Sequence, residues 1–107
     1  MNSKRKGTRG ENELAHVLQE YGYDTKRMQQ FAGGIDSPDV SGLPGIHIEC
    51  KRVEKLNIMD AYRQSERDAD GKAIPAVFHR RNREPWMVTM SLDDFMRIYK
   101  AWQNEKL

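Results

Sequence analysis

The strongest constraint on the fold lies in residues 36–51, where a turn rich in glycine and proline precedes a run of alternating side chains. Alternation with a period of two predicts a β-strand with two different faces. The apolar face has Ile46, Ile48 and Cys50, and the polar face has His47, Glu49 and Lys51. The polar face would line a cleft. Asp39, which precedes the turn, would approach Glu49 from the adjacent strand of a hairpin.

Asp39, Glu49 and Lys51 predict metal-dependent phosphodiester chemistry. Two neighbouring carboxylates repel each other unless a proton or a cation lies between them, and hard oxygen ligands suit Mg²⁺ or Mn²⁺. Such an ion polarises a phosphoryl oxygen and activates a water molecule, and a lysine can orient that water. The alternative is an ordinary solvated strand face, on which glutamate and lysine are common.

The motifs carry a family resemblance. The Pro-Asp pair at 38–39, followed ten residues later by Glu-Cys-Lys at 49–51, resembles the PD-(D/E)XK nuclease signature. The Arg-Gly-Glu-Asn-Glu-Leu segment at 9–14 is similar to the start of the archaeal and phage Holliday junction resolvases of that superfamily. The resemblance covers about residues 6–80. It implies a DNA endonuclease that uses Mg²⁺, or Mn²⁺ in its place, on four-way junctions in DNA recombination or repair.

The resemblance also assigns roles to individual residues. The implied metal ligands are Glu11, Asp39, Glu49 and the backbone carbonyl of Cys50. The implied catalytic residues are Glu11, Asp39, Glu49 and Lys51, with Gln64 on the second helix supporting the lysine or the substrate. Glu13 competes with Glu11 for its role, since either carboxylate could instead favour the helix dipole. A solvated helix position is the alternative for Gln64.

Basic residues predict contacts with nucleic acid, although the net charge is only +2. Clustered lysines and arginines attract phosphate, and a serine can hydrogen-bond to it. The candidate nucleic-acid contacts are Lys4, Arg5, Lys6, Arg9, Arg27, Ser37, Arg52, Arg80 and Arg81. The alternative for the basic N-terminal segment is a solubilising tail. We leave Asp36 out of the metal site because it lies outside the Pro-Asp motif.

Length and composition predict one compact domain. A chain of 107 residues with 32% charged residues fits a single modest core, and a second copy of the chain could complete it. We expect a flexible basic arm at 1–10, a single nuclease domain at 11–107 and a homodimer. One cysteine excludes an internal disulfide, and no signal peptide or membrane span is evident, so we expect a cytoplasmic protein, or one in the host-cell cytoplasm if a phage encodes it.

The periodicities predict the order helix, three strands, helix, two strands, helix. The predicted helices cover 11–21, about 57–69 with Asn57 as N-cap, and a segment after the cap Ser91; the predicted strands cover 23–30, a segment at Asp39, 46–51, 74–80 and 86–90. This order indicates an α/β fold, a restriction-endonuclease-like sandwich with a central mixed β-sheet flanked by helices. The apolar face of the last helix would pack or dimerise. We interpret His16, His47 and His79 as structural or DNA-facing, because no second ligand stands at a metal-like spacing.

Two other functions stay open at this point. The chain could be a nuclease for linear or other structured DNA, or a non-catalytic DNA-binding module that needs no divalent ion. A binding module has no need of an acidic pair beside DNA, which the pair would repel. The sequence therefore favours the nuclease.

Overall fold

The computed structural model describes residues 3–28 and 38–106, with side chains from Gly7 onward in the first helix. The helices are α1 (Ser3–Gln19), α2 (Ile58–Ala69) and α3 (Leu92–Lys106), and the strands are β1 (Lys26–Arg27), β2 (Val40–Ser41), β3 (Ile46–Arg52), β4 (Ile74–Arg80) and β5 (Met87–Thr89). The predicted order of elements is confirmed.

The five strands form one mixed sheet in the order β1-β2-β3-β4-β5. β3 and β4 are parallel and are connected through α2, whereas the other neighbouring pairs are antiparallel. A parallel pair requires a crossover connection, and α2 provides it. The predicted α/β fold with a central mixed sheet is therefore confirmed.

The two faces of β3 meet different helices. Ile48 and Cys50 pack with Leu14 and Ala15 of α1 in the main hydrophobic core. The opposite face of β3 meets α2, where Ser65 Oγ donates a hydrogen bond to the backbone carbonyl of the strand at a distance of 3.2 Å. The period-two alternation thus separates the apolar core from the polar side chains of β3.

The first helix begins earlier than the sequence analysis predicted. The segment 1–10, predicted as a flexible arm, is helical from Ser3, and the helix ends at Gln19 rather than at Tyr21. This segment has no apolar periodicity, but lysine and arginine are good helix formers, and the helix continues through Gly7 and Gly10. Tyr21 is 74% exposed instead of lying on the inward face.

Side-chain caps begin the other two helices, as predicted. Asn57 Oδ1 accepts a hydrogen bond from the backbone N–H of Asp60 over 3.1 Å, and Ser91 Oγ accepts one from that of Asp94 over 3.1 Å. Such caps satisfy backbone donors that have no partner within the helix. In the described part of the chain, no helix is both long and apolar enough to cross a membrane.

The apolar stripe of α3 is not covered by the rest of the described chain. We use "α3 stripe" for Phe95, Ile98, Tyr99 and Trp102, which are between 37% and 52% exposed. Ring contacts join its aromatic members, since Tyr99 lies 6.2 Å from Phe95 and 5.7 Å from Trp102 between ring centroids. The sequence analysis expected this face to pack or to dimerise, and residues 3–28 and 38–106 do not cover it.

Candidate active site

Three hydrogen bonds hold Asp39 in place, two to β3 and one to Met28, the residue that follows β1. The N–H of Asp39 donates to the carbonyl of Ile48 over 2.9 Å, and its own carbonyl accepts from the N–H of Met28 over 2.9 Å. Its side-chain Oδ2 accepts from the N–H of Cys50 over 2.8 Å. The hairpin predicted between Asp39 and Glu49 is therefore present, and the carboxylate of Asp39 lies next to the strand that carries Glu49.

The turn that joins β2 to β3 depends on a glycine. Gly42 has a φ of +119°, and a Cβ built on it would lie 2.5 Å from the carbonyl oxygen of Asp24 and 2.7 Å from the Cα of Thr25. Only glycine combines this backbone conformation with so close an approach. Thr25 is itself held, because its hydroxyl donates to the carbonyl of Ala15 over 2.7 Å. The turn thereby ties the hairpin to α1.

Glu49 is almost fully buried at the centre of the site. The residue is 3% exposed. Its Oε2 lies 3.6 Å from Nζ of Lys51. Burial, followed by the negative charge of Asp39, raises the pKa of Glu49 to about 7, against the opposing effect of Lys51. The Glu-x-Lys motif therefore places a carboxylate and its cation on one face of the strand.

The pKa of Asp39 also differs from that of an ordinary aspartate. Burial raises the pKa of Asp39, and the hydrogen bond from Cys50 and the charge of Lys51 oppose that shift. Glu49 and Asp39 are thus two carboxylates that share a poorly solvated site. A cation between them would offset both the burial and their mutual repulsion.

Glu11 reaches the same cluster from α1. It forms an ion pair with Arg27 over 3.0 Å, and its pKa is raised first by burial and then by the charge of Asp39, while Arg27 and Lys51 lower it. Glu11 therefore interacts with the predicted catalytic carboxylates.

Glu13, the alternative to Glu11 as a metal ligand, forms ion pairs with other residues. One of its oxygens lies 3.4 Å from Arg52 Nε, and the other accepts a hydrogen bond from Arg80. These pairs tie α1 to the ends of β3 and β4. The geometry thus favours Glu11 for the site and Glu13 for the packing of α1.

Gly10 explains how α1 comes so close to β3. A Cβ on Gly10 would lie 2.5 Å from the Cβ of Arg52, which is too short for any real contact. The missing side chain allows the first helix to touch the end of the strand. Glu11 follows directly in the chain, so this contact brings it towards Asp39.

Cys50 can contribute only its backbone to the chemistry. Its side chain lies in the hydrophobic core, and burial, together with the nearby charge of Asp39, raises the pKa of its thiol far above the ordinary value. A thiol held in its neutral form is a poor nucleophile and a poor metal ligand. The prediction that Cys50 offers its carbonyl is compatible with this placement.

Sequence reasoning missed Asp68. One carboxylate oxygen of Asp68, one of Glu49 and one ring nitrogen of His47 lie within 4.8 Å of one another. Our argument that His47 has no second ligand at a metal-like spacing is therefore wrong, because its neighbours come from the strand face and from α2. The available signal was that Asp68 lies three residues after Ser65, so the two side chains are neighbours on one face of the second helix.

The remaining predicted residues lie around this cluster or outside the described part. Gln64 is exposed on α2, one turn before Asp68, and does not join the carboxylates. Arg27, Arg52 and Arg80 pair with Glu11 or Glu13, so they are held by the chain itself. Arg9 and Arg81 are exposed. The side chains of Lys4, Arg5 and Lys6, and all of Ser37 and Asp36, lie outside the described residues.

The fold and the site together define the class of protein. A Pro-Asp carboxylate beside β2 and a Glu-x-Lys motif on β3, in a mixed sheet between helices, are the parts of a PD-(D/E)XK nuclease. The family model described as "Phage putative PDDEXK endonuclease" matches residues 2–107, and the chain belongs to this family. The protein is a nuclease.

A solved structure supports this placement. The fold is similar to that of Hjc from Archaeoglobus fulgidus, described as a Holliday junction resolvase from an archaeal hyperthermophile, with a TM-score of 0.60 and 26% sequence identity. The match covers 79% of this chain and 72% of the archaeal one. A search of curated protein sequences finds no match. The predicted superfamily and its likeness to the archaeal resolvases are confirmed.

Proposed function

We propose that this nuclease is a divalent-cation-dependent endodeoxyribonuclease that cuts four-way DNA junctions. The observation that carries the proposal is the pair of neighbouring carboxylates, the partly buried Asp39 and the buried Glu49, with Lys51 Nζ 3.6 Å from Glu49. The junction as substrate is supported by the similarity to the archaeal resolvase. The likeness extends over 79% of this chain and 72% of the archaeal one.

The residues at the site fit a Mg²⁺ ion, which Mn²⁺ could replace. Burial raises the pKa of Glu11, Asp39 and Glu49, so each carboxylate would gain from a neighbouring positive charge. Carboxylate and backbone carbonyl oxygens are the ligands that these ions prefer. Asp39, Glu49 and the carbonyl of Cys50 would hold the ion, with Glu11 completing the set. When bound, the ion supplies a more acidic water and a polarised phosphoryl oxygen.

Lys51 has the role of placing positive charge at the reacting phosphate. Its side chain is about one-third exposed, whereas that of its partner Glu49 is buried, so the ammonium lies between the carboxylate and solvent. An ammonium in this position can orient the attacking water and offset the negative charge that develops on the phosphate. The contact with Glu49 keeps the lysine in place before DNA binds.

We assign DNA contacts to the basic residues around the site. Arg9 and Arg81 are exposed at the surface, where phosphate can reach them. Arg27, Arg52 and Arg80 would need to share their glutamate partners with DNA, so their contribution depends on the ion pairs with Glu11 and Glu13. Lys4, Arg5, Lys6 and Ser37 stay in the proposal as predictions from the sequence, and Gln64 stays as a polar residue that supports the substrate.

A homodimer would suit this substrate. A four-way junction has two strands to cut, and two active sites related by a two-fold axis can make paired incisions. The exposed α3 stripe is a self-complementary candidate for the contact between two copies. Residues 11–107 would form a single nuclease domain. In keeping with the phage family, the protein would act in the cytoplasm of a host cell during DNA recombination or repair.

The test is cleavage of matched DNA substrates by the purified protein. A labelled four-way junction and a linear duplex of the same sequence are each incubated with Mg²⁺ or with EDTA. The proposal expects symmetric nicks in the junction only, and only with Mg²⁺. Cleavage of both substrates would indicate a nuclease that also acts on linear DNA. Binding without cleavage in the presence of any metal would indicate a DNA-binding module.

A further inference from the structure

A second group of potential ligands lies beside the proposed catalytic pair. His47, Glu49 and Asp68 each bring one ligand atom within 4.8 Å of the other two. The set consists of an imidazole nitrogen and two carboxylate oxygens. Only Glu49 belongs to the residues that the PD-(D/E)XK signature assigns.

Secondary structure fixes the three side chains relative to one another. His47 and Glu49 are two residues apart on β3, so they point to the same face of the sheet. α2 packs on that face, and Ser65 Oγ donates to the carbonyl of His47 over 3.2 Å. Asp68 lies three residues after Ser65, about one helical turn further on, which brings its carboxylate over the strand.

Burial and negative charge favour the binding of a cation by this group. His47 is 5% exposed and Glu49 is 3% exposed, so neither side chain is well hydrated. The carboxylate of Asp68 lies within 4.8 Å of the ligand atoms of both residues and brings a second negative charge to the group. In such a dry site, the attraction between carboxylates and a divalent ion is less screened than in water.

We propose that His47, Glu49 and Asp68 bind a second divalent transition-metal ion, of which Mn²⁺ is the representative. Glu49 would be shared with the ion beside Asp39. The inference deepens the proposed function, and it rests on that proposal for the role of Asp39. Imidazole nitrogen is a ligand that the later first-row metals favour and that Mn²⁺ accepts, whereas Mg²⁺ keeps a nearly all-oxygen set. This second site should therefore prefer Mn²⁺ over Mg²⁺.

The experiment detects the nitrogen ligand directly. Mn²⁺ alone is added to the full chain without DNA, and pulsed electron paramagnetic resonance reports whether a ¹⁴N nucleus is coupled to the bound ion. A purely electrostatic effect of His47 or Asp68 would give no such coupling. The proposal expects ¹⁴N coupling in the wild-type protein at a Mn²⁺ concentration that saturates binding, persisting in a large excess of Mg²⁺.

Matched variants assign the coupling to its source. His47→Gln should lose the ¹⁴N coupling, whereas His16→Gln, which alters an exposed histidine of α1, should keep it. Asp68→Asn should weaken Mn²⁺ binding at this site at least tenfold, whereas Glu66→Gln, at an exposed position of α2, should leave it unchanged. Asp68→Asn also keeps the test open if His47→Gln fails to fold.

The outcomes separate this inference from the proposed function. Asp39→Asn should abolish DNA cleavage and yet keep the ¹⁴N coupling. A wild-type protein that cleaves DNA but shows no ¹⁴N coupling, or a coupling that survives His47→Gln, would overturn the inference and leave the nuclease site intact. Coupling without cleavage of any DNA would support the second site and overturn the proposed function.

Discussion

The carboxylate of Asp39 accepts a hydrogen bond from the backbone N–H of Cys50 over 2.8 Å. This bond connects Asp39, the residue just before β2, with β3, the strand that carries Glu49. Because Cys50 directly follows Glu49, the bond sets the spacing of the two acidic residues through the backbone rather than through flexible side chains. The pair is thus organised before any metal or DNA arrives.

The two glutamates of α1 should respond differently to the loss of charge. Glu13→Gln should lower the free energy of unfolding by about 0.5–1 kcal/mol, because Glu13 pairs with Arg52 and Arg80 at a partly exposed surface. Glu11→Gln should lower the cleavage rate at least ~10-fold, since Glu11 completes the proposed set of metal ligands. Urea unfolding and single-turnover cleavage of both variants measure this; reversed effects would assign the metal role to Glu13.

The close approach of α1 to β3 predicts opposite effects of alanine at two glycines. Gly10→Ala should destabilise the protein by about 1–3 kcal/mol, because the new Cβ would clash with the Cβ of Arg52. Gly7→Ala is the matched control, since a Cβ there meets nothing within 4 Å. It should stabilise the helix by about 0.5–1 kcal/mol. Equal unfolding free energies for the two variants would contradict the packing described.

The raised pKa of Glu49 predicts how stability depends on pH without metal. The pKa of Glu49 is 4.5 before burial and about 7 in the folded protein, so between these values the unfolded chain has lost a proton that the folded protein keeps. The free energy of unfolding should therefore fall as the pH rises from about 4.5 to about 7. Glu49→Gln should lack this loss, which amounts to about 3 kcal/mol at most.

The measurement is urea unfolding in EDTA at a series of pH values. As the pH rises to about 7, the free energy of unfolding of Glu49→Gln should increase relative to that of the wild type. Above about pH 7 the difference should stay constant. Glu66→Gln, at an exposed position of α2, serves as the control and should follow the wild type. A constant difference at all pH values would mean that Glu49 titrates normally.

The α3 stripe predicts the oligomeric state. Trp102→Asp should convert a dimer to a monomer, because the tryptophan is 52% exposed within one chain and lies in an apolar, aromatic row. Gln103→Asp adds the same charge at the next residue, which is also exposed, and should leave the dimer intact. Light scattering after size-exclusion chromatography gives both masses. A wild-type protein that stays monomeric at all concentrations would rule out the dimer.

The sequence predicted most of the fold because its periodicities and caps are local signals. The alternation at 46–51 and the caps Asn57 and Ser91 each depend on residues close in the chain, and each is confirmed. The predicted start of α1 was wrong, because residues 1–10 have no apolar periodicity to indicate a helix. In the folded protein, Gly10 serves a contact with Arg52, which is distant in sequence.

The site residues that belong to a sequence motif were predictable. Those brought to the site only by the packing of helices on the sheet were not. The Pro-Asp and Glu-x-Lys residues were found from their spacing, and the structure brings Asp39 and Glu49 together. Asp68 was missed because its approach to His47 depends on how α2 crosses the sheet. The pairing of Glu13 with Arg52 and Arg80 likewise joins three elements, and no local pattern indicates it.

The central claim is that Lys51 and the carboxylates beside it perform the cleavage, and Lys51→Ala tests it most directly. With Mg²⁺, single-turnover cleavage of a four-way junction should fall by about 10²–10³, while the affinity for the same junction in EDTA changes less than about threefold. Lys55→Ala, which removes an exposed lysine outside the strand, is the control and should cleave normally. Undiminished cleavage by Lys51→Ala, or a loss of binding as large as the loss of cleavage, would contradict the account.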